Sequence, residues 1–469
     1  MTVLQRLLGA ALLARYVRGQ AAYPFRPLVS IKADRDSRVR QMVAYAYRWV
    51  PYYRETMQHL GTTPADFQCA DDLARLPLLR RSQIQRDPER FVSREGNIAE
   101  YVAVRNSGTS GRPCDFFMDG RTLFQYAAQD ARARAALAPV VGKSRGYRQT
   151  KIESPLGSST GVQEFYDLRS WLPPGVALHR QTLSLLDPPE VNARLIDSFR
   201  PDVIRGYGSY LAALFHHLHV TGRAMHLPKV LRYTSDALPD TARKLIEEDF
   251  GIPIFATYEA TEAYNIAFEC EQHAGMHLNI DLCPMRIVDA QGNPAPTGQC
   301  GSVVISNLIN RGTVLLNYML EDIAALAFGP CPCGRSLPLL GQLEGRTSDW
   351  LMLPTGEWLH AQSLSPLFKG GEGIWQYQVI QDSPSHLTVL LVCSSDCSRQ
   401  STTMRIASGI ASILGEGMAH DIQFVDRVHH TTAGKALPLI SRYARDPTPP
   451  LVPALTSPAR DSRSIGAAP

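Results

Sequence analysis

Arg105-Asn-Ser-Gly-Thr-Ser-Gly-Arg-Pro113 follows the strand-like run Tyr101-Val-Ala-Val104. Ser107, Gly108, Thr109, Ser110, Gly111 and Arg112 put two glycines, three hydroxyls and a cation into one short loop. Glycine lets a backbone take positive φ and come close to a ligand. Successive N–H groups then form a nest for an anion, and hydroxyls add donors. Arg112 adds charge. Gly-x-x-x-x-Gly-Lys-Ser/Thr is absent, so this is not a Walker loop. Alone, the stretch reads equally as a phosphate grip or a polar surface loop.

Outward from the loop, residues 101–340 alternate short β-branched runs with helical stretches. Pro201-Asp-Val-Ile-Arg-Gly206 reads as strand and turn, Leu211–Leu218 as a helix, residues 241–250 as another, and Gly251-Ile-Pro-Ile-Phe-Ala256 as a buried strand. Such alternation predicts an α/β fold. Residues 1–100 read as mostly helical; apolar positions in Arg38–Val50 keep helical spacing until Pro51. Near 344 the text changes: Leu387–Cys393 is a strong strand and residues 401–416 look like a helix. That is enough for a small α+β domain. The Pro-rich, then Ser/Arg/Gly/Ala-rich tail reads as disordered. The expected division is a large N-terminal domain at 1–343, whose first hundred residues are a helical lead-in, a mobile C-terminal lid at 344–445, and a tail at 446–469.

Four further stretches follow the loop in order. They are Thr257-Tyr-Glu-Ala-Thr-Glu262, then Gly301–Leu308 with Leu315–Ile323, then Glu344-Gly-Arg-Thr-Ser-Asp349, and last Thr432-Ala-Gly-Lys-Ala-Leu-Pro438. With the loop they resemble the motif series of the acyl-adenylate-forming superfamily: acyl-CoA synthetases, peptide-synthetase adenylation domains and luciferases. The resemblance spans residues 105–438. It implies a large multi-sheet adenylation domain and a small mobile lid. By that resemblance Ser107–Arg112 grip pyrophosphate, Tyr258 lies by adenine, Thr261 meets the α-phosphate and Glu262 helps hold Mg²⁺. A glutamate is a hard oxygen ligand suited to that ion; the bland reading of Thr261-Glu262 is a helix N-cap. Asp322 matches the carboxylate that takes both ribose hydroxyls, for which it has acceptors enough. Arg346 contacts the ribose, Ser348 is the hinge, and Lys435 contacts carboxylate and α-phosphate. A Gly-Lys pair alone is common in any loop, so Lys435 rests on its place in the series. Three positions depart from the pattern: Glu259 and Glu321 replace glycines, and Asn317 replaces an arginine.

Finer text resembles the phenylacetate–CoA ligase-like branch: Val50-Pro-Tyr-Tyr-Arg54, Leu76–Arg81, Gly206-Tyr-Gly-Ser209, Glu269-Cys270 with Gly275-Met-His277, and Cys331-Pro-Cys-Gly-Arg335. Pro354–His360 and Ala436–Ser441 look closer to capsule-biosynthesis-type adenylating proteins. Asp236 stands where relatives build the acyl pocket and the adenine wall. Cys270, His277, Cys331 and Cys333 make a second constellation, with His273 as an alternative to His277. Three thiolates and an imidazole complete a structural zinc set with no open position. The competing reading is four unrelated reduced side chains. His216, His217 and His219, on a predicted helix, read as packing or surface residues, and Trp350 and Trp358 as packing.

Composition narrows the rest. The chain has 469 residues, 44% hydrophobic and 20% charged, with net charge +4 over 48 basic and 44 acidic residues. Length suggests two or three domains, and the balanced charge argues against nucleic acid. Nine cysteines, an odd number in a long chain, fit a reducing cytoplasm better than a disulfide scaffold. The N-terminal run from Met1 reads as an amphipathic helix, docked on the body or touching a membrane, rather than a signal peptide. It is too short to span a bilayer.

The expected chemistry is ATP-dependent activation of a carboxylic acid as acyl-AMP. Transfer to CoA, a carrier-protein thiol or an amine follows. Two alternatives stand beside it. One is AMP transfer to a non-carboxylate, as in a branch relative that adenylylates a phenolic deazaflavin coenzyme. The other is a non-catalytic nucleotide-binding protein, kept open by Glu259, Asn317 and Glu321.

Overall fold

Residues 3–100 form helices because their apolar residues recur every three to four positions. The lead-in comprises α1 (Val3–Val17), α2 (Leu28–Trp49), α3 (Pro51–His59) and α4 (Arg81–Arg86), joined by short 3₁₀ turns. Val39, Met42, Val43 and Ala46 bury one stripe of α2. Val50 is extended, since a following proline ring disfavours the helical region, and Pro51 opens α3 at a position that needs no N–H. Tyr53, fully buried, receives a hydrogen bond from the N–H of Leu316 at 2.7 Å and donates to the carbonyl of Val314 at 3.1 Å. The lead-in is thereby fixed to the body.

The computed structural model describes residues 3–105, 114–155, 159–171, 177–289, 291–346, 350–368, 373–394, 397–415, 417–431, 434–441 and 455–456. After the lead-in, β1 (Val102–Arg105) and β2 (Asp115–Met118) form an antiparallel pair, closed by Arg105 on Asp115 at 2.7 Å. Asp119 caps α5 (Gly120–Val141) by accepting from the N–H groups of Arg121 and Thr122, and Gly142 ends it at φ 82°. Then follow β3 (Arg148–Glu153), α6 (Ser159–Arg169), β4 (His179–Ser184), α7 (Pro189–Phe199), β5 (Val203–Tyr207), α8 (Gly208–Thr221), β6 (Val230–Thr234), α9 (Asp240–Lys244) and β7 (Ile254–Ala260). The helix expected at 241–250 is α9 plus a π-turn at Leu245–Asp249.

Strands β4-β3-β5-β6-β7 are parallel, as helical crossovers require. From β7 the sheet turns antiparallel through β8 (Tyr264–Glu269), β9 (Met276–Leu278), β10 (Met285–Val288), β11 (Gln299–Ile305), β12 (Tyr318–Leu326) and β13 (Leu339–Arg346). The two halves join edge to edge into one sheet of eleven strands, to which Leu455–Thr456 of the tail adds a twelfth. In the C-terminal part, β14 (Trp350–Met352) pairs with β15 (Trp358–His360), and α10 (Ser365–Phe368) follows. Next come β16 (Ile374–Ser383), β17 (His386–Cys393), α11 (Arg399–Leu414), β18 (Ala419–Phe424) and β19 (Leu439–Ser441), giving a four-stranded sheet ordered β18-β17-β16-β19. Of the tail, only Leu455–Thr456 is described; as β20 it pairs with Gln299–Cys300. The mixed α/β architecture with a separate small C-terminal domain is thus in place.

That domain docks on the parallel half. Trp375, Leu390, Val392 and Val428 share a buried cluster with Ile196, Leu214 and Phe215. Gln376 donates to the carbonyl of Ser209 at 3.0 Å. His216 packs on the Trp375 ring, 4.8 Å between centroids. Helix α1 packs on α5 and α6: Arg6 donates to the carbonyl of Asp167, and Gly9 is the buried residue of the helix. Among the described residues no helix is long and apolar enough to cross a membrane.

Candidate active site

Open α/β sheets bind ligands beyond the carboxyl ends of their strands, where the topology changes direction. Here that point is the end of β7. Thr261, Glu262 and Ala263 form the turn between β7 and antiparallel β8, so this motif is a hairpin turn and not a helix N-cap. Glu262 is buried to 8% exposure. Its backbone carbonyl accepts from Asn307 Nδ2 at 2.8 Å, and its Oε1 from the Tyr318 hydroxyl at 3.4 Å. Tyr258 donates to Asp322 Oδ2 at 2.5 Å, which orients that carboxylate across β7 and β12. Arg346 lies in register with Asp322 on β13.

Lys435 reaches the site from the C-terminal domain. Its loop closes on itself: the Lys435 N–H donates to Thr431 Oγ1 at 3.1 Å, and the Thr431 N–H to the Lys435 carbonyl at 2.9 Å. Gly434 takes φ 80°, and a Cβ there would fall inside the Leu185 side chain. The ammonium stands 5.8 Å from the centre of the Tyr207 ring. Thr261, Glu262, Asp322 and Lys435 all line one cavity of about 1310 Å³. That volume accommodates more than one ordinary small ligand. Arg105 opens onto the same cavity. Ser107, Gly108, Thr109, Ser110, Gly111 and Arg112 lie outside the described residues, as does Ser348.

Asp236 is placed differently. It receives the Ser209 hydroxyl at 2.5 Å and the Ser209 N–H at 3.2 Å, at the start of α8. Burial pushes its carboxyl up to about 6, against the Ser209 hydrogen bonds and the charge of Lys435. The cavity lining at this point is Thr234 and Ser235 instead. Ser235 takes φ 74°, a strained conformation that no sequence pattern announced.

The second constellation assembles. Cys270 follows β8, His277 is in β9, and Cys331 and Cys333 lie between β12 and β13. Their ligand atoms lie within 4.8 Å of one another. Cys270 Sγ is 3.6 Å from Cys331 Sγ, and Cys333 Sγ is 3.3 Å from His277 Nε2. Bonds of about 2.3 Å in a tetrahedron put ligand atoms about 3.8 Å apart, so the donor set fits zinc. His273 turns away to Glu269, with Nδ1 2.9 Å from the carboxylate.

Residues 351–442 match the CapK C-terminal domain family. A phenylacetate–coenzyme A ligase of Thermus thermophilus is 27% identical over 373 residues, covering 76% of this chain and 79% of that protein. One of Pseudomonas putida is 26% identical, covering 69% and 72%. The chain is an adenylate-forming ligase similar to phenylacetate–CoA ligases. A 2-hydroxyisobutyryl-CoA ligase crystallised in its postadenylation state, with an acyl-AMP bound, shares the ligase's fold. Its TM-score is 0.73 at 17% identity, covering 89% of this chain and 91% of that one.

Two of the ligase's three departures from the family pattern have structural employment. Glu259 forms ion pairs with Arg205 and Arg232. Asn317, at φ 53°, donates to the carbonyl of Leu76 at 2.6 Å and accepts from Arg286 at 2.5 Å. Glu321 holds φ 66°, where glycine would sit without strain. Sequence reading missed the polar wall beside Glu259, made by Lys151, Arg180 and Arg205 in the cavity lining. The available signal was the polar text of β3 and β4.

Proposed function

We propose that the ligase activates a carboxylic acid with ATP, releases pyrophosphate, and passes the acyl group to CoA. One observation carries this reading: Lys435 of the small domain enters the cavity lined by Thr261, Glu262 and Asp322 of the large one. In the proposed reaction a carboxylate oxygen bonds to the α-phosphorus as the bond to pyrophosphate breaks. Charge shifts among phosphoryl oxygens, so positioned dipoles and cations supply most of the catalysis. Lys435 supports charge between the reacting groups, and Thr261 donates to the α-phosphate. Asp322, held by Tyr258, accepts the ribose hydroxyls, with Arg346 beside it. The Ser107–Arg112 loop grips pyrophosphate. Glu262 would hold Mg²⁺, whose charge neutralises the phosphates.

The 344–445 segment then acts as a lid that swings about Ser348 and opens the adenylate to its acceptor. CoA is the preferred acceptor because the curated relatives are named CoA ligases; a carrier-protein thiol or an amine is the remaining choice. Zinc at Cys270, His277, Cys331 and Cys333 would be structural, since none of the four lines the cavity. Nine cysteines without a disulfide suit a cytoplasmic enzyme. The test is ATP- and Mg²⁺-dependent pyrophosphate release with hydroxylamine present. Hydroxamate formed in step with pyrophosphate supports an acyl-AMP. A stable AMP conjugate without hydroxamate points to AMP transfer onto a non-carboxylate. ATP binding with no turnover points to a non-catalytic protein.

A further inference from the structure

Buried parallel strands usually read as continuous apolar runs. β3 and β4 instead read Arg-Gln-Thr-Lys-Ile-Glu and His-Arg-Gln-Thr-Leu-Ser. Register collects their cations into one row. Gln149 stands opposite Arg180, Lys151 opposite Arg205, and Arg205 opposite Arg232. Paired positions and alternate residues share a face of the sheet. Arg180, Lys151, Arg205 and Arg232 therefore all point to the side covered by α5, whose Asp130 meets Arg232 at 2.6 Å.

Two acids of this wall are already engaged. Glu259 takes Arg205 and Arg232; Asp130 takes Arg232 and, at 3.4 Å, Arg134. Among the described residues, neither the Lys151 ammonium nor the Arg180 guanidinium has a hydrogen bond or ion pair, and both line the cavity. Burial, with Arg205 nearby, pushes Lys151 down to about 8. Lys151 is half-buried with Glu153 two residues along on the same face, and Arg180 is exposed on the edge strand β4 with Asp167 as its first acidic neighbour. Cations still outnumber acids along this wall, and an anion in the cavity would balance them.

ATP does not supply that anion in the proposed reading. Its phosphates belong at the Ser107–Arg112 loop, Thr261 and Lys435, and its ribose at Asp322 across β7. The cation row lies the other way. From β5, where Tyr207 faces Lys435, β3 is one strand spacing away and β4 two, about 5 and 10 Å. Leu7, Ala10, Ala14 and Val17 of α1 add alkyl surface to the lining. The space suits a short alkyl or aromatic body with an anion at each end.

We propose that the acid activated here carries a second anionic group, a carboxylate or a phosphate ester, bound by Lys151, Arg180 and Arg205. This rests on the acyl-adenylation reading. Matched pairs of acids test it by pyrophosphate release: phenylacetate against 4-carboxyphenylacetate, octanoate against octanedioate, and glycerate against 3-phosphoglycerate. The expected result is at least a tenfold higher kcat/KM for the dianionic member of one pair, about what one charge-assisted contact supplies. The pair that responds separates carboxylate from phosphate. Lys151→Met and Arg180→Gln should each raise KM for that acid about tenfold and leave KM for ATP within about twofold. Arg180→Glu should also shift preference from octanedioate toward 8-aminooctanoate. Preference for the monoanions, or equal loss for both members of every pair, overturns the second-anion site and leaves adenylation standing. No release with any acid, while ATP still binds, overturns both.

Discussion

At the residue scale, one fully buried ion pair lies outside the cavity lining. Arg132 on α5 and Asp281 after β9 are 1% and 0% exposed and meet through two contacts, 2.7 and 2.9 Å. Asn279 adds a third, and Gln20 a fourth that reaches back to the lead-in. Removing one partner strands a buried charge, so Asp281→Ala should destabilise the ligase by about 3–5 kcal/mol, read as a lower urea midpoint. Asp236 gives a pH test. Its folded-state carboxyl sits at about 6, above the usual aspartate value, chiefly through burial. The folded protein then binds the extra proton between about pH 4 and 6, so stability falls as pH rises through that window. Asp236→Asn should therefore gain stability over the native protein at pH 7.5 and lose that advantage at pH 4.5. An advantage unchanged across that range would contradict the assignment. Motif residues such as Tyr258, Thr261, Glu262 and Asp322 were legible one by one, because their chemistry and their order both show in the text. Glu259 and Asn317 stood out as departures, yet their work was not legible. It depends on Arg205, Arg232, Leu76 and Arg286, which only folding brings near.

At the element scale, two loops carry the argument. The lysine loop is fixed by Gly434, whose φ of 80° and packing on Leu185 leave no room for a side chain. Gly434→Ala should lower adenylation more than about tenfold with little change in ATP affinity, since it displaces Lys435 without touching the large domain's site. Equal kcat in calorimetrically matched variants would refute that role. Cys270 follows β8, His277 sits in β9, and Cys331 and Cys333 lie in the turn joining β12 and β13. Protein purified without added metal should contain about one zinc per chain by elemental analysis, and Cys331→Ala should lose it and melt earlier. Metal-free protein of unchanged stability would end the zinc reading. The hydrophobic period was enough to place α8, α11, β5 and β17 near their observed bounds, whereas α2 starts ten residues before the expected helix and β7 runs four residues past the expected strand. The π-turn after α9 and the cation row of β3–β5 were not readable. The first needs the local packing, and the second needs a register linking strands up to 54 residues apart.

At the scale of the whole molecule, the small domain rests on the parallel half of the sheet. Trp375, Val392 and Val428 enter the cluster beneath α7 and α8. That docking is what carries Lys435 to the mouth of the cavity beside Tyr207. Alternating elements made the large α/β domain legible, and the change of text near 344 announced a second unit. Their mutual placement was not legible, because it rests on contacts such as Gln376 with Ser209 between residues 167 apart. The central claim is that this placement makes one catalytic centre from two domains. Hydroxylamine-trapped pyrophosphate release, compared between the native ligase and Lys435→Ala with ATP, Mg²⁺ and the acid panel, tests it most directly. The expected result is hydroxamate from the native protein and a fall of about a hundredfold or more in kcat for the variant, with KM for ATP nearly unchanged. Pyrophosphate released by Lys435→Ala at the native rate would contradict it.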